Sequence, residues 1–346
     1  RLRSRAGVGE EIGIRTGERR LRKQGHRDGS SQPPPGVDHE KRDVMENGRR
    51  ALTSRIREVI IRNLFAFFAF LSVLLLGLIV LFLFREGLPL FNQISVTQFL
   101  FGSAWYPTYD PPEYGIWPLI VGSVLVTILA CLIAVPFGLF AAVYISEIAP
   151  LRIKEILKSV IELLAGLPSV VLGFFGMVIV APWMQEAFDL PTGLNIVNAS
   201  LMLAVMAIPT ISSISEDALY AVPREFKEAS YALGATKYET ITQVAIPAAL
   251  SGISTAVILG MARAIGETMV VLMVAGGSAA IPWSIFDSVR PMPASIAAEM
   301  GEAPFQSGHY HALFATGIVL FFITLAFNLI ADHISNKFKE EGSGTL

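Results

Sequence analysis

Between Gly115 and Ser146 the chain runs for 32 residues without a charged side chain, and Leu64–Phe84 is a second uncharged run of 21. At a rise of about 1.5 Å per residue, a helix of roughly 20 apolar residues crosses the hydrocarbon core of a bilayer. Composition agrees with that reading. The 346 residues are 53% hydrophobic and only 16% charged, with a mean hydropathy of +0.55, whereas soluble domains carry about 25% charged residues. Leu64–Phe84 is too long for a signal-peptide core, and the FREGLPLF that follows offers no A-x-A cleavage site, so it is expected to stay as an anchor. The 115–146 run exceeds one span, which predicts tilt, a kink near Pro136 or an interfacial entry at Trp117.

Four further apolar stretches complete the set. Leu163–Gln185 reads as a third span, begun by Glu162 and broken at Gly166-Leu167-Pro168; Leu190–Ser215 holds a fourth, with Pro209 inside it and Glu216-Asp217 at its end. Leu250 to about Val274 reads as the fifth and Ala312–Ala331 as the sixth. The expected architecture is therefore an all-α, polytopic integral membrane protein of six spans over residues 58–335. Residues 1–57 carry fifteen Lys/Arg against eight Asp/Glu and the run Pro33-Pro34-Pro35, a composition that predicts disorder. Met45 opens a tidier start, so residues 1–44 are either an artefact of start-site choice or a cytoplasmic extension; residues 336–346 read as a short cytoplasmic tail.

Charge sets the orientation. With the N-terminus inside, the inner loops at 146–159, 221–249 and 333–346 hold three, three and two Lys/Arg, and the outer loops at 85–115, 183–198 and 276–310 hold one, none and one. The positive-inside rule then predicts that both termini are cytoplasmic. The first inner loop reads as a short basic connection with Arg152, Lys154 and Lys158. Glu162, Glu216 and Asp217 are expected to be solvated or loop-pairing carboxylates, and Glu299 and Glu302 to lie on a short external or re-entrant helix.

The longest charged passage between spans, PREFKEASYALGATKYETITQVAIP at 223–247, has the local chemistry of two short helices around a bend. Pro223 suits a first helical turn. Phe226, Ala229, Ser230 and Leu233 recur at helical spacing, and Gly234 stands where a left-handed residue ends a helix. Thr236 and Glu239 form a T-x-x-E capping box for a second helix, with Tyr238, Ile241 and Val244 on one side and a stop before Pro247.

Inside the fifth run, GMARAIGETM puts Arg263 about 20 Å from Leu250, near the bilayer centre, with Glu267 four residues on and able to pair with it on one helix face. Two readings stand: a structural ion pair that fixes helix packing, or a transient station for an anion, with Arg as fork-shaped donor and Glu balancing its charge. Other chemistry is sparse. Cys131 lies in an apolar run and reads as a small buried hydrophobe. The histidines at 26, 39, 309, 311 and 333 show no metal spacing, and His309 and His311 face different ways on a helix. No G-x-x-x-x-G-K-[ST] occurs, so the chain is not expected to hydrolyse ATP; neither catalytic residues nor a cofactor is expected in it.

Glu228-Ala229-Ser230, Gly234, Val244, Ile246 and Pro247 together resemble the EAA signature of ABC importer permeases, with Ser230, Val244 and Ile246 as mild departures. AAVYISEIAP, ELLAGLPSVVLGFFG, GMARAIGETMVVLMVAGGSAAIP, SIFDSVRPMPASIAAEMGEA and HYHALFATGIVLFFITLAFN resemble the phosphate-specific members, in the form of the PstC-type subunit, over roughly residues 55–335. Gly277 in VAGGS, where related sequences often have Asn, is expected to loosen an outer turn.

The resemblance implies a type I importer permease fold in a bacterial or archaeal inner membrane and a coupling helix at the EAA-like loop. Phe226, Glu228, Ala229, Ser230, Leu233 and Gly234 would serve ATPase coupling, and Arg263 and Glu267 the translocation path. It implies as partners a PstA-type second permease, a PstB-type ATPase pair that binds ATP and Mg, and a PstS-type phosphate-binding protein. Rival readings are the sister permease or another oxyanion as cargo, an ion-coupled secondary transporter, and a membrane sensor. The second predicts inverted repeats, of which none is evident; the third needs a cytoplasmic output domain that the tails do not supply.

Overall fold

The computed structural model describes the backbone of residues 37–343 and the side chains of residues 58–333. Among the described residues, helix dominates: α1 Val37–Gly87, α2 Val96–Phe101, α3 Trp117–Val143, α4 Leu151–Ala165, α5 Ser169–Phe175, α6 Ala181–Phe188, α7 Ile196–Tyr220, α8 Arg224–Ala232, α9 Lys237–Thr240, α10 Ile246–Ala248, α11 Leu250–Ile265, α12 Met269–Val274, α13 Met292–Glu299 and α14 Gly308–Ser343. One small antiparallel hairpin, β1 Trp105–Tyr106 with β2 Glu113–Tyr114, stands in the loop after α1. Among the described residues, five helices are long and apolar enough to cross a membrane, at Glu58–Asn92, Trp117–Ile148, Ser169–Phe188, Ile196–Tyr220 and Gly308–His333. A sixth candidate is a bent pair, Lys237–Ala248 followed by Leu250–Ile265 at 68°, if the two together make one span.

The chain divides into two units, Arg1–Leu74 and Leu75–Leu346. In the first, α1 begins at Val37, which corrects the disorder expected for residues 37–57. That stretch is rich in Glu, Lys and Arg, good helix formers, and extending an existing helix avoids the cost of a new nucleus. The rest of the expected tail, residues 1–36, lies outside the described residues. Phe65, Phe67, Phe68 and Phe70 are all exposed, an apolar surface suited to lipid.

The second unit is organised around α3 and α7, with α11 against both. Their seam is made of small residues. Ala134, Ala204 and Ala207 are buried there around Ile211, and a Cβ on Gly138 or Gly260 would lie 2.9 or 2.8 Å from the Ile211 side chain. Small residues let helix backbones approach closely, which is how helices associate where lipid removes the hydrophobic drive. Pro136 lies inside α3 and Pro209 inside α7 without ending either helix. Cys131 is buried on α3, as expected.

The third span departs from the sequence reading. Gly166-Leu167-Pro168 does not interrupt it but precedes it, because Pro168 caps α5 with an extended backbone (ψ 134°). Leu163 and Glu162 therefore belong to α4, and the expected basic loop is this amphipathic helix. Its Lys154 and Lys158, four residues apart, converge on Glu216 of α7 at 3.1 and 3.2 Å. Glu216 is a loop-pairing carboxylate, but a buried rather than a solvated one, its side chain only 4% exposed; Asp217 is exposed.

The asymmetry of this cluster has a measurable consequence. Removing both lysines strands a buried carboxylate, which costs roughly 3–5 kcal/mol, whereas Glu216→Gln leaves two lysines that reach water. Lys154→Met with Lys158→Met is therefore expected to lower the thermal unfolding midpoint of the purified protein more than Glu216→Gln does. Equal losses would contradict this assignment.

Candidate functional site: coupling loop and membrane break

Two regions collect the residues singled out from the sequence. In the first, α8 ends as expected. Gly234 takes a positive φ of 86°, the Gly234 N–H donates to the Tyr231 carbonyl at 3.0 Å, and the Ala235 N–H donates to the Ser230 carbonyl at 3.2 Å. That pair of bonds is a Schellman motif, which satisfies carbonyls left open at a helix end. The capping box forms too: the Glu239 N–H donates to Thr236 Oγ1 at 3.3 Å and the Thr236 N–H to Glu239 Oε2 at 2.8 Å. The backbone N–H and hydroxyl of Thr236 both hold the Glu239 carboxyl below its ordinary value of 4.5. Pro223 sits one position earlier than expected, as the N-cap of α8.

None of the residues of α8 is buried. Phe226 and Leu233 are 54% and 89% exposed, with Glu228 and Ala229 exposed beside them. Ser230 instead turns inward, its hydroxyl 2.9 Å from that of Thr240, and so closes the loop rather than joining the exposed face. The second helix also does not stop before Pro247. A π-helical turn, Ile241–Ala245, carries it into α10, where Pro247 is accommodated near the helix start. Ile241 and Ala245 are buried, while Tyr238 is 75% exposed, so Tyr238 does not share the packed side expected for it.

The second region is a break in the fifth span. α11 ends at Ile265, residues 266–268 are non-helical, and α12 starts at Met269. Glu267 is therefore not one turn above Arg263 on a continuous helix, and no ion pair joins them among the described residues. Arg263 is exposed and Glu267 half-buried. They do share a cavity of about 10 Å³ with Leu203, Met206 and Ala207, room for about one water molecule. On its inner side Glu267 also borders Ser123 and Thr127 of α3. The Ser123 hydroxyl accepts the Met292 N–H at 2.9 Å, which ties the start of α13 to this crevice.

Sequence reasoning missed a third cluster, on the segment after α12. Glu299 ends the short helix α13, as the sequence reading has it, but its partners were not foreseen. It accepts Trp105 Nε1–H at 3.1 and 3.0 Å, the Ser295 hydroxyl at 3.1 Å and His309 Nε2–H at 2.8 Å, and it pairs with Arg290. The signal was Arg290, the one Lys/Arg of residues 276–310, nine positions before Glu299. Gly277 does not loosen its turn. It adopts φ 78°, a conformation Asn also tolerates; its N–H donates to the Val289 carbonyl at 3.0 Å and its carbonyl accepts Arg290 Nε–H at 2.7 Å. His309 and His311 do face apart, His311 Nδ1 lying 2.7 Å from the Glu86 carbonyl.

An exposed loop of two short helices thus stands on a bundle of helices apolar enough to cross a membrane. Residues 134–340 match the family described as binding-protein-dependent transport system inner membrane component. The chain belongs to this family and is a membrane-embedded transport subunit, with ATP hydrolysis carried by a separate partner. A probable ABC transporter permease, YqgH of Bacillus subtilis, is 41% identical over 75% of this chain and 85% of its own length. The phosphate transport system permease PstC of Pasteurella multocida is 33% identical over 79% of this chain and 90% of its own. The resemblance to PstC-type subunits is thus borne out over most of the chain. Among solved structures, a chain of a bacterial alginate ABC transporter bound to its periplasmic protein superposes with a TM-score of 0.50, at 17% identity, over 77% of this chain and 94% of that one. The expected type I importer permease fold is the fold observed.

Proposed function

We propose that this chain forms half of the path by which an ATP-driven importer moves inorganic phosphate into the cell. The observation that carries the substrate is the 33% identity to a phosphate transport system permease over most of both chains. The charge count of the loops supports cytoplasmic termini and a cytoplasmic 221–249 loop. On that side, the exposed Phe226, Glu228, Ala229 and Leu233 form the surface that enters a cleft of a PstB-type ATPase, which binds the ATP and Mg. Gly234 provides the bend and Ser230 closes it from within.

The path runs beside the α11 break. Arg263 is exposed on this chain, so a second, PstA-type permease completes the enclosure, and a PstS-type protein delivers phosphate from outside. A cavity of about 10 Å³ does not admit a tetrahedral oxyanion; the anion passes only when the helices around Gly266 separate. Arg263 then donates to the oxyanion and Glu267 limits how tightly it is held.

Cells lacking other phosphate importers, supplied with this chain and its partners, are expected to take up radiolabelled phosphate unhindered by excess sulfate or molybdate. Uptake blocked equally by all three would overturn the assignment of phosphate.

A further inference from the structure

The coupling helix has no buried residue, yet displacement of α8 must reach the pore helices. The described contacts offer few routes. Ser230–Thr240 joins α8 only to the next part of its own loop. Lys227 reaches further: its Nζ lies 2.6 Å from Glu147 Oε1. Glu147 lies in the π-helical turn Tyr144–Ile148 that ends the second span, and it also accepts the Ser146 hydroxyl at 3.1 Å.

We infer that the Lys227–Glu147 pair is the link through which movement of the coupling helix is delivered to α3, and so to the helices that line the path. The inference rests on the reading of α8 as the ATPase-docking element. Lys227 lies on the flank of α8 beside Ser230, three residues on, leaving Phe226, Ala229 and Leu233 free on the outer face. A solvated ion pair would carry little, but these side chains are only 19% and 12% exposed, and charge-assisted bonds at this distance are strong and directional. Beyond Glu147 the mechanical route is short. α3 packs along α7 and against α11, and α11 carries Arg263. π-Helical turns recur at functional sites, and one stands at each side of this route, at Tyr144–Ile148 and at Ile241–Ala245.

The experiment reads ATPase copurification, binding-protein-stimulated ATP hydrolysis and phosphate moved per ATP in the complete reconstituted complex. Lys227→Met is expected to retain the ATPase and its hydrolysis while phosphate per ATP falls about tenfold, a size usual for coupling between sites. Lys227→Arg, and the exchange Lys227→Glu with Glu147→Lys, are expected to bring the ratio back to within about twofold of the native value, because each restores a pair. A native ratio in Lys227→Met overturns the inference, as does an assembled charge-exchange variant whose ratio stays low. A merely structural brace lowers the amount of complex while the ratio of the surviving complex stays native, which also overturns it. Phe226→Asp, on the outer face, separates the two levels. It is expected to release the ATPase, and retained copurification would overturn the docking reading itself.

Discussion

Arg263→Met is expected to leave the importer assembled and to lower phosphate uptake by about 10- to 150-fold, the loss of one hydrogen bond to a charged group at about 1.5–3 kcal/mol. The helix break decides the first half of this expectation. Had Arg263 and Glu267 been paired on one continuous helix, removing the arginine would have stranded a carboxylate and cost assembly. Instead Arg263 is exposed without an ion-pair partner among the described residues, and Glu267 sits past the end of α11. Arg263→Lys is expected to fall between native and Arg263→Met, because lysine keeps the charge and loses the two-pronged donor. Radiolabelled phosphate uptake, normalised to assembled complex, checks the series. Near-native uptake by Arg263→Met would remove Arg263 from the path.

The second large effect belongs to Gly234. Its φ of 86° and the open space around its Cβ position separate two costs that are usually mixed. Aspartate tolerates the left-handed region better than most residues, so Gly234→Asp carries little backbone strain, whereas Gly234→Ala costs roughly 1–2 kcal/mol. If only the bend mattered, Ala would be the worse substitution. With the loop seated in an ATPase cleft, Asp is worse, because its charged side chain grows into the partner's surface. Gly234→Asp is expected to insert normally and to lose binding-protein-stimulated ATP hydrolysis at least tenfold, within the usual range of such couplings, with Gly234→Ala retaining more. The opposite order in proteoliposomes would show that the turn, and not the docked surface, sets coupling.

How much of this was legible in the sequence depends on the range of the physics involved. The bend at Gly234 and the Thr236–Glu239 box were readable because each is closed within a few residues. The apolar runs announced themselves because a bilayer demands length and little else. What stayed hidden was set by neighbours distant in sequence. Nothing in GMARAIGETM says that α11 stops at Ile265, since Gly inside a helix is only mildly unfavourable. The end is set where α12 is drawn toward α5 and α7. Glu216 looked like a surface carboxylate because Lys154 and Lys158 lie about 60 positions away. Glu299 looked plain because Trp105, one of its four side-chain partners, is 194 residues distant. Pro247 misled for a different reason: a local rule against helix was met by a π-helical turn that a local rule does not foresee.

Phosphate accumulation in sealed proteoliposomes separates an ATP-driven permease from an ion-coupled carrier. With the chain, its second permease and the ATPase reconstituted, and binding protein on the opposite side from the 221–249 loop, phosphate is expected to accumulate only when ATP is on the loop side. Collapsing proton and sodium gradients should leave the rate unchanged. Accumulation driven by an ion gradient without ATP or the ATPase would contradict the assignment.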